Sequence, residues 1–485
     1  MSLYKKTVSG VFWTFIQRVG GNGLSFIIFI VLARLLSPRD FGLIGMLNIF
    51  IQISQTLVDG GFSLALIQKK NADEEDYSSV FYINLAVSTA LYFVIFFTAP
   101  LIATFYKQPI LTELLRVISL IFIINAFSYV QNARLTKEMR FKTLMITHIP
   151  SIVIAGIISI AMALLNFGVW SIVAMQLGSG FVYSVLIWFY AKWKPLLSFN
   201  KEKAKKLFSF GGKLLGAGVL TTVYNNIFLV IIGKFFPINN VGYYDNAYNV
   251  SNAPSSTFTA VLNTVTFPVF SSIQDDNKRL REGYKKIMQQ AFFIICPAYC
   301  LAIVLANPLF QLFFSDKWLP AVPYFQWLCI PAIFQPLNTY NLNILNVKGR
   351  SDIFLKLQLV RRGISIALIF VVIPFGMQAL LILQAASSVL TFLMFSHYAG
   401  RFIEYNLLNQ VKDILPIIFL SIVVSISIFF FEQTFGEASV IIRLTMDFGL
   451  GFALYWLLGR LFKLPPYFDW SIIVKDKVLN RFYKK

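Results

Sequence analysis

Apolar runs of about twenty residues follow one another from end to end of this 485-residue chain, and that pattern leaves few folds open. A helix of that length crosses the hydrocarbon core of a bilayer. Inside lipid every backbone N–H and C=O must be paired within the protein, so only helices and closed barrels span it. The runs are continuous and do not alternate with a period of two, which argues against a barrel. Run length gives about fourteen spans, at approximately 10–34, 41–66, 79–104, 111–133, 143–165, 168–191, 208–233, 241–270, 286–307, 320–346, 353–374, 377–399, 412–431 and 439–461. The expected fold class is all-α: a polytopic membrane protein of about 14 transmembrane helices. Hydrophobic residues make up 57% of the chain and charged residues 13%, and no long polar segment remains for a soluble domain.

The formal net charge is +20, from 42 Lys and Arg against 22 Asp and Glu. In a soluble domain such an excess would point to nucleic acid. Here it sits in short joints between spans, so the positive-inside rule accounts for it and no nucleic-acid partner is expected. With the N-terminus placed in the cytoplasm, the cytoplasmic joints collect clusters such as Arg134, Lys137, Arg140 and Lys142, or Lys278, Arg279, Arg281, Lys285 and Lys286. The external joints hold only Arg34, Arg39, Lys107, Lys234 and Lys317. Both termini are therefore expected in the cytoplasm. The first run carries Gln17, Arg18 and Asn22, which suits a retained helix better than a cleaved signal. Cys296, Cys300 and Cys329 lie inside apolar runs and read as small core residues. Neither His148 nor His397 has a partner suggesting a metal, and no cofactor is expected.

The longest hydrophilic joint, 192–207, divides the chain near its middle. The half after this joint resembles the half before it. LARLLSPRDFGLIGM from Leu32 is echoed by IGKFFPINNVGYYDNA from Ile232, matching Arg34 with Lys234 and Gly42 with Gly242. The expected organisation is an N-lobe of six helices over 1–191, a basic cytoplasmic linker over 192–207, a C-lobe of six helices over 208–400, and two further helices with a basic tail over 401–485. Parallel repeats of this kind imply a pseudo-twofold axis along the membrane normal and a central cavity between lobes.

Polar side chains recur on single helical faces within these runs. In 41–68 they are Asn48, Gln52, Gln55 and Asp59; in 241–271 they include Asp245, Asn249, Asn252, Asn263 and Thr266. Such stripes are costly in lipid unless they face a wet cavity or a partner. Arg18 lies about ten residues into the first span, roughly 15 Å deep at 1.5 Å per residue. Its face continues through Asn22 and Ser25. It suits an anionic substrate, and the competing structural role is an ion pair with Asp59. Asp59 could equally bind a coupling cation or close a helix before Gly60 and Gly61. Lys213, on the helix that carries Asn225 and Asn226, is shallow enough to snorkel to the headgroups. Arg361 and Arg362 lie about 13 Å into the eleventh span and, being adjacent, point about 100° apart. Pro254 and Pro268 suggest distortion of the eighth span. There is no Walker motif, HExxH, GxSxG or clustered acidic ligand set, so an enzyme is not expected.

Taken in order, LARLLSPRDFGLIGM (32–46), DGGFSLALIQ (59–68), ARLTKEMRFK (133–142), GVWSIVAMQL (168–177) and GYYDNAYNVSNAPSS…TFPVFSSIQ (242–274) resemble the polysaccharide transporter family. These are Wzx-like flippases of the multidrug/oligosaccharidyl-lipid/polysaccharide exporter superfamily. The resemblance covers most of the chain to about residue 400. It implies two lobes in a bacterial cytoplasmic membrane. It also implies export of undecaprenyl-pyrophosphate-linked oligosaccharide to the outer leaflet, for O-antigen, capsule or exopolysaccharide. Membrane lipids and the glycan polymerase or ligase machinery are the other partners it implies. The family's cationic cavity would here use Arg18, with Lys213 and Arg361 or Arg362. The coupling ion, H⁺ or Na⁺, is not specified. The alternatives are a related drug/cation antiporter, which would favour acidic cavity residues where this chain offers chiefly Asp59, and a membrane glycan polymerase or ligase, which would need a larger external loop.

Overall fold

The computed structural model describes residues 3–434 and 439–472, without the side chains of 3–12, 201, 204–211, 213, 214, 217, 264, 265, 433 and 434. Among the described residues there is no strand. In order, the helices are α1 (Leu3–Leu35), α2 (Pro38–Asp59), α3 (Phe62–Gln68), α4 (Glu74–Tyr106), α5 (Leu111–Ile118), α6 (Leu120–Lys137), α7 (Phe141–Leu164), α8 (Trp170–Ala191) and α9 (Lys201–Phe235). They continue with α10 (Ile238–Ser272), α11 (Asn277–Val304), α12 (Ala306–Phe314), α13 (Val322–Val347), α14 (Ser351–Val372), α15 (Met377–Phe402), α16 (Leu407–Thr434) and α17 (Val440–Leu461).

Each expected span coincides with one of these helices or with a pair: α2 with α3, and α5 with α6. The break between α2 and α3 has a local cause. After Asp59 the chain turns through Gly60 and Gly61, at φ 52° and 71°, a region open to glycine at little cost. Among the described residues twelve spans, α2–α3 and α5–α6 each counted once, are long and apolar enough to cross a membrane. The chain is a multi-pass membrane protein. α10 and α13 are not among the twelve, so the count of fourteen is approximate. Their interiors carry Asn246, Asn249, Asn252 and Asn263, or Asn338, Asn341 and Asn343, together with prolines, which lowers their apolarity.

The chain divides into two compact units, Met1–Asp245 and Asn246–Lys485. In the first, α1 packs on α7, α7 on α8, α6 on α4 and α8, and α2 on α9. Small residues set these approaches: a methyl placed on Gly156 of α7 would lie 2.4 Å from Ile28 of α1. α2 begins with a capping box, Ser37 and Asp40 each bonding the other's backbone N–H. α4 begins with a second, between Asp73 and Asp76.

The expected internal repeat has a counterpart in the element boundaries. α1 ends at Leu35 and α9 at Phe235; α2 begins at Pro38 and α10 at Ile238. The two matched glycines lie against each other. A Cβ on Gly42 would be 2.4 Å from the Ile238 carbonyl oxygen, and one on Gly242 would be 1.9 Å from that of Pro38. Only glycine lets the two backbones approach this closely.

In the second unit α13 packs on α15 and α11 on α16. A buried polar network ties these helices. Tyr284 shares its hydroxyl between Asn341 Oδ1 (2.9 Å) and Gln410 Oε1 (3.3 Å), and Asn341 Nδ2 donates to Ser396 Oγ at 2.9 Å. Gln410 Nε2 closes the network on the carbonyl oxygens of Tyr405 and Ser396.

Candidate functional site

On α1, Arg18, Asn22 and Ser25 are all exposed. Their spacing of four and three residues places them on one face, as expected. The opposing contacts belong to α7: Gly21 sits beside the His148 ring, and Ile28 fills the space over Gly156. Packing on α7 therefore turns the polar face of α1 away from its neighbour. The ion pair weighed for Arg18 is not formed: among the described residues no salt bridge joins it to Asp59. The Asp59 carboxylate instead accepts from Ser63 Oγ across the Gly60–Gly61 turn. Arg18 is thus an exposed cation at mid-helix.

The stripe on α2 lies along its seam with α9, and the two helices run antiparallel. Asn226 Nδ2 donates to Gln52 Oε1 at 2.9 Å, and one turn further on the Thr56 and Thr222 hydroxyls are 3.2 Å apart. Gly218 admits the Thr56 methyl, which would lie 3.0 Å from a Cβ placed there. The structure thus joins two expected site residues, Gln52 and Asn226, directly. Asn225 is exposed beside them, and Asn48, Gln55 and Asp59 are half-buried on α2. The Lys213 side chain lies outside the described residues.

In the second unit Asn249 is exposed on α10 and Asn252 is half-buried. Arg361 and Arg362 are both half-buried on α14, and Arg361 donates to Gln358 Oε1 at 3.1 Å. Near Pro254 a side chain from α11 bonds the backbone of α10, which is helical throughout. The Tyr299 hydroxyl, from α11, sits between two backbone groups of α10: it donates to the Ser251 carbonyl and accepts from Ser255 N–H at 3.1 Å. In a regular α-helix that carbonyl and that N–H are also each other's partners. Ser255 Oγ bonds the Ala332 carbonyl of α13 at 2.6 Å.

Three features escaped the stripe pattern. Asn84 on α4 and Gln131 on α6 are fully buried, and no polar side-chain atom of either has a hydrogen-bond partner among the described residues. Asn84 is the one amide in its run, so periodicity carried no signal for it; Gln131 shares its run with Asn125, Ser128 and Asn132, a spacing that could have marked it. The third is the fastening of the basic joint to the start of α4. Trp193 Nε1 donates to Glu74 at 2.6 Å, Leu196 N–H to Ser78 Oγ at 2.8 Å, and Asn200 N–H to Ser79 Oγ at 3.1 Å. Lys203 lies 2.6 Å from both Asp73 and Glu75. That hydrogen bond holds the Asp73 carboxyl down at about 2 and raises the Lys203 ammonium. Among the described residues no cluster of three or more His, Cys, Asp or Glu side chains could hold a metal.

The sequence profile of a family described as polysaccharide biosynthesis protein matches residues 31–323, more than half of the chain. The chain belongs to that family. Among curated relatives of this family member, the teichuronic acid biosynthesis protein TuaB of Bacillus subtilis is 27% identical over 357 residues, 73% of each chain. The lipopolysaccharide biosynthesis protein WzxC of Escherichia coli is 26% identical over 360 residues, again 73% of each. Among solved structures, the lipid II flippase MurJ in an inward closed conformation aligns with 94% of this chain and 98% of its own, at a TM-score of 0.73 and 16% identity. An inward-facing multidrug-resistance MATE transporter of the MOP superfamily aligns with 79% of this chain and 96% of its own, at a TM-score of 0.60 and 16% identity. The fold is shared with these two transporters.

Proposed function

We propose that this family member is a flippase for a lipid-linked oligosaccharide. It carries the polar head group from the inner to the outer leaflet while the lipid tail stays in the bilayer. The observation that carries this reading is the family match over 31–323, to which the polar faces of the first unit give a chemistry. An undecaprenyl-pyrophosphate-linked glycan presents an anion and many hydroxyls. Arg18 offers a cation that no carboxylate among the described residues neutralises, and Asn22 and Ser25 continue its face with hydrogen-bonding groups. The Gln52–Asn226 seam, with Asn48, Gln55 and Asn225 beside it, supplies amide groups for sugar hydroxyls. Asn249, Asn252, Arg361, Arg362 and Lys213 take the same role in the repeat-related half. The cycle is alternating access of two repeats in a cytoplasmic membrane with both termini inside, biased by an H⁺ or Na⁺ gradient.

The test uses vesicles containing the purified chain and a fluorescent undecaprenyl-pyrophosphate-linked oligosaccharide. Translocation is read as protection from a membrane-impermeant glycosidase. Arg18→Ala and Arg18→Glu should abolish translocation in well-inserted protein. Arg18→Lys should retain part of it, because a point charge still meets pyrophosphate without the bidentate geometry. Undiminished translocation by Arg18→Glu would reject the role.

A further inference from the structure

The joint between α8 and α9 reads in sequence as a basic cytoplasmic linker, yet its middle is apolar and faces away from the protein. Leu197 is 99% exposed, and Leu196 and Phe199 are about half exposed. These side chains are held out by a segment that is itself fixed. Trp193 is buried in the cluster of Tyr77, Phe81 and Val130, and Leu196 N–H and Asn200 N–H are bonded to the buried hydroxyls of Ser78 and Ser79. Asn200 then caps α9, accepting from Glu202 and Lys203 N–H. A water-facing loop has no physical reason to present three large apolar groups from so firmly anchored a backbone.

The surroundings say what covers them. The last turn of α8 exposes Phe189 and Tyr190, the aromatic pattern of a membrane–water interface, and the joint comes directly after it. Lys192 and Lys194 flank the apolar residues and are exposed. Of the nearby acids, Glu74 is engaged by Arg134 and Trp193, and Asp73 and Glu75 by Lys203, which leaves Glu202 exposed on the first turn of α9 against the two exposed lysines. The outward charge beside Leu196, Leu197 and Phe199 is therefore positive. We propose that residues 192–199 form a lipid anchor, in which Leu196, Leu197 and Phe199 enter the leaflet on the lysine-rich side and Lys192 and Lys194 bind anionic phospholipid headgroups. Lysine stems reach along the apolar layer while their ammonium groups stay among phosphates. Because the segment is bonded to α4 and caps α9, the anchor fixes the depth of both helix starts relative to that leaflet. The assignment is independent of what the protein transports.

The experiment places a bimane label at Leu197→Cys in full-length protein carrying Cys296→Ala, Cys300→Ala and Cys329→Ala, in phosphatidylethanolamine–phosphatidylglycerol vesicles. The label should show blue-shifted emission and quenching by lipids brominated near the headgroup. It should resist aqueous iodide, which should quench the same label at Lys70→Cys. Iodide access should rise in phosphatidylcholine vesicles and in protein also carrying Lys192→Glu and Lys194→Glu. Equal iodide quenching at the two positions overturns the anchor, and insertion indifferent to both lipid charge and the lysine pair overturns the anionic-lipid assignment. Shielding in native membranes that vanishes in purified vesicles would identify a protein occupant and likewise overturn it. If the cysteine-free background does not fold, a benzoylphenylalanine at position 197 in the unaltered chain should photocrosslink to phospholipid, and failure to do so counts against the proposal.

Discussion

Gly242→Ala is expected to strike the glycine crossing where it has least room. The added methyl would lie 1.9 Å from the Pro38 carbonyl oxygen and 2.8 Å from its carbonyl carbon. Both are backbone atoms, so no side-chain rotation relieves the clash, and α2 and α10 must separate by roughly 1 Å to restore a normal contact distance. Overpacking of this kind costs about 1–3 kcal/mol and sometimes more. Against it stands the gain of about 1 kcal/mol for alanine over glycine in a helix interior. The net expectation is a loss of about 1 kcal/mol, more where the two backbones do not part. Gly449→Ala in α17 is the matched control, because nothing lies within 4 Å of its added methyl. It should gain up to about 1 kcal/mol from propensity alone. Gly42→Ala should fall between them, since its nearest atom is the Ile238 carbonyl oxygen at 2.4 Å. The assay is the midpoint of heat-induced unfolding of purified protein in detergent, at one protein concentration. Gly242→Ala should unfold below the unmodified chain and Gly449→Ala at or above it. Equal midpoints for Gly242→Ala and Gly449→Ala would refute the close crossing.

The Gln52–Asn226 bond should appear in a double-mutant cycle as a coupling of about 1 kcal/mol, read from the same unfolding midpoints with Gln52→Leu, Asn226→Leu and the double variant; no coupling would mean that the seam is held by its threonines and apolar contacts. The bonds between Lys203 and the start of α4 give a pH prediction. Lys203 lowers the folded Asp73 carboxyl to about 2 from an unfolded value near 3.9, so its stabilisation is present above the unfolded value and is lost as pH falls towards the folded one. Hydrogen exchange over 192–203, corrected for intrinsic rate, should stay flat from neutral pH down to about 5 and rise below about 4; a rise centred near neutrality would assign the attachment to another group.

The length and continuity of the apolar runs made the helices legible, because lipid leaves the backbone no alternative. Gly42 and Gly242 were legible as matched glycines, and a crossing this tight restricts both positions to one residue type. The seam was half legible. Gln52 and Asn226 each stood out as an amide in an apolar run, but their mutual bond depends on the antiparallel offset of α2 and α9, which neither sequence encodes locally. Arg18 stood out by charge, whereas the absence of the Asp59 pair follows from the turn at Gly60 and Gly61 that gives this carboxylate a neighbour in Ser63. The anchored joint reads as merely basic because Lys192, Lys194, Lys201 and Lys203 dominate its composition. The hydroxyls that fasten it, Ser78 and Ser79, are more than a hundred residues away in sequence.

The tyrosine lodged in α10 makes that helix an exchanger of hydrogen bonds. With Tyr299 in place, Ser251 and Ser255 each bond its hydroxyl. With it withdrawn, they can bond each other, and no backbone group is left stranded in either arrangement. Pro254 has already removed one donor from the same turn, so closing the ladder restores little stiffness. For this N–H and this carbonyl the phenol and the helical partner are interchangeable, so loosening the turn leaves neither group without a bond. A membrane helix built this way can change its direction at mid-length without the usual penalty for irregular backbone.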